Sequence, residues 1–201
     1  MTSSTEYSDL ASERLRVFVA LLTKWNPAIN LVSPASLPDV WTRHVADSAQ
    51  VLDMVGPGQK RWLDMGTGAG FPGVVVALIA ADTPGSVEMI LIESDQRKAA
   101  FLATVSRETE VPMTIHAARI EEVAPQRADI VSARALAPLG KLCAFADRHL
   151  AQGGTAVFLK GGQYDAEIAE ARKSWAFDLD VHRSITDPSG VILSLKDLRR
   201  V

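Results

Sequence analysis

The chain of 201 residues has a single cysteine, Cys143. One thiol excludes a disulfide framework and a cysteine-ligated metal site. Long apolar runs are also missing. The longest, residues 74–81, falls far short of the ~20 residues a membrane-spanning helix needs. The opening Met1-Thr-Ser-Ser-Thr-Glu-Tyr-Ser8 has no basic segment followed by an apolar core, so no secretory signal is expected and the cytoplasm is the expected compartment. Excess positive charge is lacking too: 21 Lys and Arg stand against 24 Asp and Glu, a net charge of −3. Any nucleic-acid contact must come from local basic patches. Internal repeats and low-complexity segments are absent. What remains is an ordinary globular composition, long enough for one domain with an extension and a full core.

Against that background one stretch stands out, Arg61-Trp-Leu-Asp-Met-Gly-Thr-Gly-Ala-Gly-Phe-Pro-Gly73. The apolar run ending in Asp64 predicts a buried strand. Gly66, Gly68 and Gly70 follow, then Pro72-Gly73 and the apolar block 74–81, which predicts a helix. Strand, glycine turn and helix make a nucleotide-type site, because glycines turn tightly and let a ligand approach without Cβ atoms in the way. Gly68-x-Gly70-x-x-Gly73, with Glu93 20 residues on, also fits the dinucleotide pattern. Asp64 separates the two readings. A carboxylate at the strand tip, facing the turn, repels a pyrophosphate and suits a ligand with positive charge, such as the amino group and sulfonium of S-adenosylmethionine. Pro72 sits where a dinucleotide site offers free N–H groups to phosphate. Asp-x-Gly-x-Gly-x-Gly therefore reads as the first motif of a methyltransferase. A nicotinamide-dependent oxidoreductase is the alternative, and a turn without ligand is the bland one. So many glycines are costly to order unless something approaches them.

Taken in order, residues 1–7 are polar and expected to fray. Leu10, Leu15, Val17, Phe18, Leu21 and Leu22 recur at helical spacing and predict a helix over 8–25, stopped by Asn26-Pro27. Ser36 predicts the cap of a second helix, with Pro38 in its first turn, continuing through 40–52. Residues 1–57 thus form a helical extension packed on a domain over 58–201, with Gly56-Pro-Gly58 as the boundary. After it strands and helices alternate, the sign of a parallel sheet covered on both faces. Strands are predicted over 61–65, 87–93, 112–116, 128–132, 154–159, 177–184 and 190–196. The helices fall over 71–81, 95–108, 119–124, 137–150 and 164–175. The last two strands, joined by Thr186-Asp-Pro-Ser-Gly190 without a helix, suggest an antiparallel hairpin at one edge.

Ligands of open α/β sheets sit outside the carboxyl ends of the strands. That rule nominates Asp64 to Phe71; then Glu93, placed to accept bonds from both ribose hydroxyls or else a dipole-favoured acid at a helix start. It also nominates Arg119-Ile-Glu-Glu122, where an adenine would fall, Ser132-Ala-Arg-Ala135 and Lys160-Gly-Gly162. Arg134 and Lys160 are cations at adjacent tips, suited to phosphate or base contacts, with plain surface charge as the alternative. Arg43-His44, beside Asp47 and Ser48, is ambiguous, and no second His lies near enough for a metal site. Trp25, Trp41 and Trp62 read as core or cap-packing residues.

These segments resemble the bacterial small-subunit ribosomal RNA guanine-N7 methyltransferase family, RsmG or GidB. The resemblance runs almost end to end. It is carried by Trp25-Asn-Pro-Ala-Ile-Asn-Leu31, Trp41-Thr-Arg-His-Val-Ala-Asp-Ser48, Leu63-Asp-Met-Gly-Thr-Gly-Ala-Gly-Phe-Pro-Gly73, Glu93-Ser, Arg97-Lys-Ala-Ala-Phe-Leu102, Ala118-Arg-Ile-Glu-Glu122, Ser132-Ala-Arg-Ala135 and Lys160-Gly161. It implies a Rossmann-like class I S-adenosylmethionine-dependent methyltransferase fold, a seven-stranded mostly parallel sheet with helices on both faces. Cofactor contacts are implied at Gly66, Phe71, Ile120, Glu121 and Arg134, which join Asp64, Gly68, Gly70 and Glu93 from the motif. The implied partner is 16S ribosomal RNA or the small subunit, with Arg134, Lys160 and Arg43 as the candidates to meet it; no membrane contact is expected, and the oligomeric state stays open with a monomer favoured. Gly190-Val-Ile-Leu-Ser-Leu-Lys196 departs from the family, lacking the Arg-His that commonly opens it. The implied chemistry is lean. Guanine N7 has a lone pair and no proton, so transfer to it needs positioning and no general base. Cys143 follows Leu142 in a predicted helix, not the Pro-Cys loop of cytosine-C5 enzymes, and no Asn-Pro-Pro-Tyr motif follows the fourth strand. A non-catalytic RNA-binding assembly factor is the remaining alternative.

Overall fold

The computed structural model describes residues 7–54, 56, 58–83 and 87–201. Residues 1–6 of the expected frayed start and Pro57 of the expected boundary lie outside them.

Helix α1 (Asp9–Ile29) buries Ala11, Leu15, Phe18 and Leu22, one stripe at helical spacing. The Ser8 hydroxyl caps it, accepting from the Ala11 N–H at 3.0 Å. Leu10, expected on the apolar face, lies outside the stripe and is exposed. Asn26-Pro27 does not stop this helix. It runs through Pro27 and ends at Asn30, whose backbone is left-handed and whose N–H bonds Asn26 O at 2.9 Å. The buried Asn26 side chain accepts from the Val32 N–H at 2.9 Å. One turn from a helix end, proline removes a single bond, and these capping bonds offset it.

The second expected helix breaks into short turns. Ser33, not Ser36, is the cap; its hydroxyl accepts from the Ser36 N–H at 3.2 Å to open the 3₁₀ turn Pro34–Ser36. Pro38 follows with no N–H to offer. A wide π turn (Trp41–Ala46), a short α2 (Asp47–Ala49) and a 3₁₀ turn (Gln50–Met54) complete the segment.

The sheet comprises β1 (Arg61–Met65), β2 (Glu88–Ile92), β3 (Met113–His116), β4 (Ala128–Arg134), β5 (Leu150–Lys160), β6 (Trp175–Arg183) and β7 (Val191–Arg200). Their order is β3-β2-β1-β4-β5-β7-β6, parallel except for β7, which runs antiparallel to β5 and β6. The expected edge hairpin is present, with β7 tucked inside it. Helices α3 (Gly73–Ala80), α4 (Gln96–Glu108), α5 (Leu139–His149) and α6 (Tyr164–Ala171) cover the sheet. The helix expected over 119–124 is a single turn, closed by the Glu122 N–H on Arg119 O at 3.0 Å. Pro125 follows, and so short a segment gains too few bonds to offset nucleation.

Strand pleating divides the core. Trp62, Met89, Leu91, Ile130 and Val157 face α1, α3 and α4; Leu63, Met65, Ile90, Ile92 and Phe158 face α5 and α6. Asp64 shares the face of Trp62 and is therefore aimed beneath α3. The chain turns outward in opposite directions from β1 and β4, so a crevice opens between their carboxyl ends.

Candidate active site

Asp64 reaches the glycine turn from below. It is 0% exposed. Its Oδ2 accepts from the Gly73 N–H at 3.1 Å and its Oδ1 from the Ser132 hydroxyl at 2.7 Å. Trp62 Nε1 donates to the same Ser132 oxygen at 2.8 Å. Burial pushes the carboxyl up to about 6, against the pull of those hydrogen bonds and of Arg134. Asp64 is thus a brace under the turn, held from Gly73 and Ser132. Gly73 makes the brace possible: a Cβ there would lie 2.7 Å from both Asp64 Cβ and Leu91 Cδ2. The start of α3 also has little to give a pyrophosphate. Pro72 has no N–H, that of Gly73 is taken by Asp64, and that of Val74 bonds Gly70 O at 2.9 Å.

Gly66, Gly68 and Gly70 all have positive φ, at 59°, 58° and 99°. Their surroundings differ. A Cβ on Gly66 would strike Leu136 Cδ1 at 2.5 Å, and one on Gly70 would strike Val74 Cγ2 at 2.6 Å. A Cβ on Gly68 meets nothing nearer than Gly66 O at 3.9 Å. Gly68 is therefore the member of the turn with open space before it. Glu93 fixes it there: Oε2 accepts from the Gly68 N–H at 2.9 Å, while Oε1 accepts from the Asp95 N–H at 2.8 Å. Each carboxylate oxygen can accept two bonds and receives one among the described residues, so each keeps a free lone pair.

Beside the turn lies a cavity of ≈ 230 Å³, lined by Gly66, Ser94, Ile120, Glu121, Leu136 and Lys141 among others. Ile120 is buried and Glu121 exposed, an apolar wall next to a carboxylate. The buried His149 supports that wall, its Nε2 lying 3.2 Å from Ile120 O. A larger cavity, ≈ 610 Å³, lies at the amino ends of β2 and β3, far from the glycines, and belongs to no strand tip.

Phe71 is packed rather than open. Its ring lies 5.3 Å from Phe18 and stacks on His44 at 5.0 Å, and the Arg134 guanidinium carbon stands 4.9 Å from its centroid. Burial, then Arg134, lowers His44 to about 4, so this ring is neutral at neutral pH. Its Nε2 pairs with Ser36 Oγ at 3.0 Å. Arg134 closes the tip of β4. Its Nη1 donates to Asp47 Oδ2 at 3.2 Å and to Arg43 O at 3.4 Å. The Asp47 N–H bonds His44 O rather than that carbonyl. Arg43 itself is exposed. So is Trp41, at 43%, which corrects its reading as a packing residue; Trp62 is buried and Trp25 packs on Phe101.

Lys160 does not stand free. Its side chain is 11% exposed and its Nζ lies 2.6 Å from Glu167 Oε2 and 3.1 Å from Ala137 O. Glu167 Oε2 also accepts from the Leu139 N–H at 2.7 Å, so the pair ties β5 to α5 and α6. Lys160 is committed to that tie rather than open to solvent. Lys160→Ala leaves Glu167 short of its partner and costs about 1.5–3 kcal/mol, the range for hydrogen bonds involving a charged group. For a domain of this size that lowers the melting temperature by several degrees. Calorimetry should show the drop, and the salt dependence of RNA binding should match the parent.

Sequence reasoning missed Ser132 as the holder of Asp64, and Ser94, Leu136 and Lys141 on the cavity. Ser132 had a signal: it pairs with Asp64 in the β1–β4 register, a hydroxyl inside an apolar strand.

The family described as GidB, rRNA small subunit methyltransferase G, matches residues 11–192. Proteins called ribosomal RNA small subunit methyltransferase G are similar over nearly the whole chain. That of Cereibacter sphaeroides is 50% identical over 190 residues, 94% of this chain and 92% of the relative. That of a Ruegeria species is 49% identical over 189 residues, 94% of this chain and 92% of the relative. Among solved structures, M. jannaschii TYW2 in complex with AdoMet superposes with a TM-score of 0.57 at 14% identity, covering 78% of this chain and 77% of that one. At that identity the likeness concerns the fold, which is the Rossmann-like class I methyltransferase fold.

Proposed function

The chain belongs to the rRNA small subunit methyltransferase G family, and on that premise we propose that it moves the methyl group of S-adenosylmethionine to the N7 of one guanine in 16S ribosomal RNA. The observation that carries this reading is the open space over Gly68, with the Glu93 carboxylate fixed beside it. Backbone can approach a ligand there without a side chain between them.

The residues fit the cofactor. The free lone pairs of Glu93 suit two ribose hydroxyls, Ile120 offers an apolar face to an adenine, and Glu121 stands at its edge. Asp64 puts a negative charge behind the turn, which favours a cationic ligand over a pyrophosphate. When bound, S-adenosylmethionine supplies an electrophilic methyl group on a sulfonium. The protein then has to hold the guanine in line and exclude water. The N7 lone pair carries no proton, so no side chain must remove one. Cys143 is no covalent nucleophile either, since burial pushes its thiol up to about 12. Arg134, over Phe71 at the tip of β4, is the residue we assign to the guanine side of the site, with exposed Arg43 toward the RNA backbone. The same reading has the protein act as a monomer in the cytoplasm, where small subunits are made.

Labelled methyl transfer from S-adenosylmethionine to small ribosomal subunits tests the proposal, and its pH profile tests the mechanism. With saturating cofactor the rate is flat from about pH 7 to 9, because no general base titrates. Cofactor affinity falls as pH drops through about 6, where Asp64 takes a proton and loses its charge. Asp64→Asn removes that dependence. A rate that climbs with pH between 7 and 9 contradicts base-free transfer.

A further inference from the structure

Asp47 lies outside the cofactor cavity, yet parts of the chain far apart in sequence meet on its carboxylate. Its Oδ2 accepts from Arg134 Nη1 at 3.2 Å. Its Oδ1 accepts from Thr186 Oγ1 at 2.8 Å, from Gln50 Nε2 at 2.8 Å and, longer, from Ser184 Oγ at 3.4 Å. Gln50 doubles the connection. Its Nε2 also donates to Ser184 Oγ at 3.1 Å, and its Oε1 accepts from the Ile185 N–H at 3.1 Å. Ser184 and Gly190 close the tip of the β6–β7 hairpin through the Ser184 N–H on Gly190 O at 2.9 Å. Ile185, at that tip, is 75% exposed, a bare apolar side chain on a loop that is otherwise tied down.

The charges explain the geometry. Arg134 is largely buried, and an ion in that position needs a partner. Asp47 is that partner, at 3.2 Å, and Arg134 in turn lies over the Phe71 ring that ends the glycine turn. One Asp47 oxygen is thus committed to the guanidinium and the other to the hairpin. We propose that Asp47 is a positioning residue: it fixes Arg134 and the hairpin tip 184–190 as one rim around the site, so that the substrate meets a preformed surface. This rests on the methyl transfer proposed above.

Substitutions separate the two halves. In Asp47→Asn the amide oxygen still accepts from Thr186 and Gln50, but an NH₂ group faces Arg134, donor against donor. Thr186→Val does the reverse, loosening the tip and leaving the ion pair. With small subunits as substrate, Asp47→Asn lowers kcat by about tenfold or more, while the dissociation constant of S-adenosylmethionine stays within about threefold of the parent. Thr186→Val raises KM for the subunit and spares kcat. Asp47→Asn combined with Arg134→Gln is no slower than Arg134→Gln alone, because the two residues act as one unit. A double variant whose losses multiply, or an Asp47→Asn enzyme with a lower melting temperature and parental kcat, overturns the proposal. A parent that methylates no small subunits counts against the proposed function instead. The rim is then judged without substrate, by hydrogen exchange in Asp47→Ala. Faster exchange over 184–190 supports the latch, and parental exchange there overturns it.

Discussion

Gly68→Val abolishes S-adenosylmethionine binding and leaves a folded protein. Gly68 adopts φ 58°, and a side chain in that left-handed region costs about 1–2 kcal/mol, somewhat more when β-branched. A domain with about 5–15 kcal/mol of stability survives this. The loss falls on the ligand, because a Cβ there points into space that the protein leaves empty. Affinity should fall at least about a hundredfold, or roughly 2.8 kcal/mol. The neighbouring glycines fail differently. Gly70→Val drives a side chain into Val74 at the head of α3, so its melting temperature falls along with binding. Gly66→Val forces Leu136 aside, and Leu136 lines the cavity, so binding suffers through the wall. Titration calorimetry with S-adenosylmethionine and with NAD decides the matter. The parent should bind the first and not the second. Undiminished affinity in folded Gly68→Val would place the cofactor elsewhere.

Glu93→Ala has the next largest effect. The carboxylate holds the Gly68 and Asp95 N–H groups and has lone pairs left for a ribose. Losing hydrogen bonds to a charged acceptor costs about 1.5–3 kcal/mol, between tenfold and a hundredfold or so in cofactor affinity. Glu93→Gln keeps an oxygen for one N–H but turns an NH₂ toward the other, so it should fall between Glu93→Ala and the parent. Parental affinity in Glu93→Ala would reduce the residue to a loop brace at the start of α4.

The glycine turn was legible in the sequence because its determinants are local. Positive φ at alternate positions demands glycine, and the apolar runs on either side name the strand and the helix. The parallel sheet was legible for the same reason, through the alternation of short apolar runs. What escaped depends on partners distant in the chain. Lys160 looked like a free cation because Glu167 meets it only when α6 folds back beside β5. Asp64 looked open because the hydroxyl that takes its Oδ1 comes from β4, across a strand register. Phe71, implied at the cofactor by resemblance, has its ring held among Phe18, His44 and Arg134, three parts of the chain at once. Local rules also misled where context outweighed them. Pro27 ends no helix when Asn30 supplies the cap, and a run of helix formers over 119–124 is too short to nucleate.

The most direct test of the account is a map of N7-methylguanine in 16S ribosomal RNA. RNA is taken from cells without this protein, from cells with it, and from cells carrying Gly68→Val. Borohydride reduction followed by aniline cleaves the strand at N7-methylguanine. The account predicts one cleavage position present with the parent protein and absent from the other two samples. The same pattern in all three, or a protein-dependent methyl group that mass spectrometry finds on another atom, would contradict it.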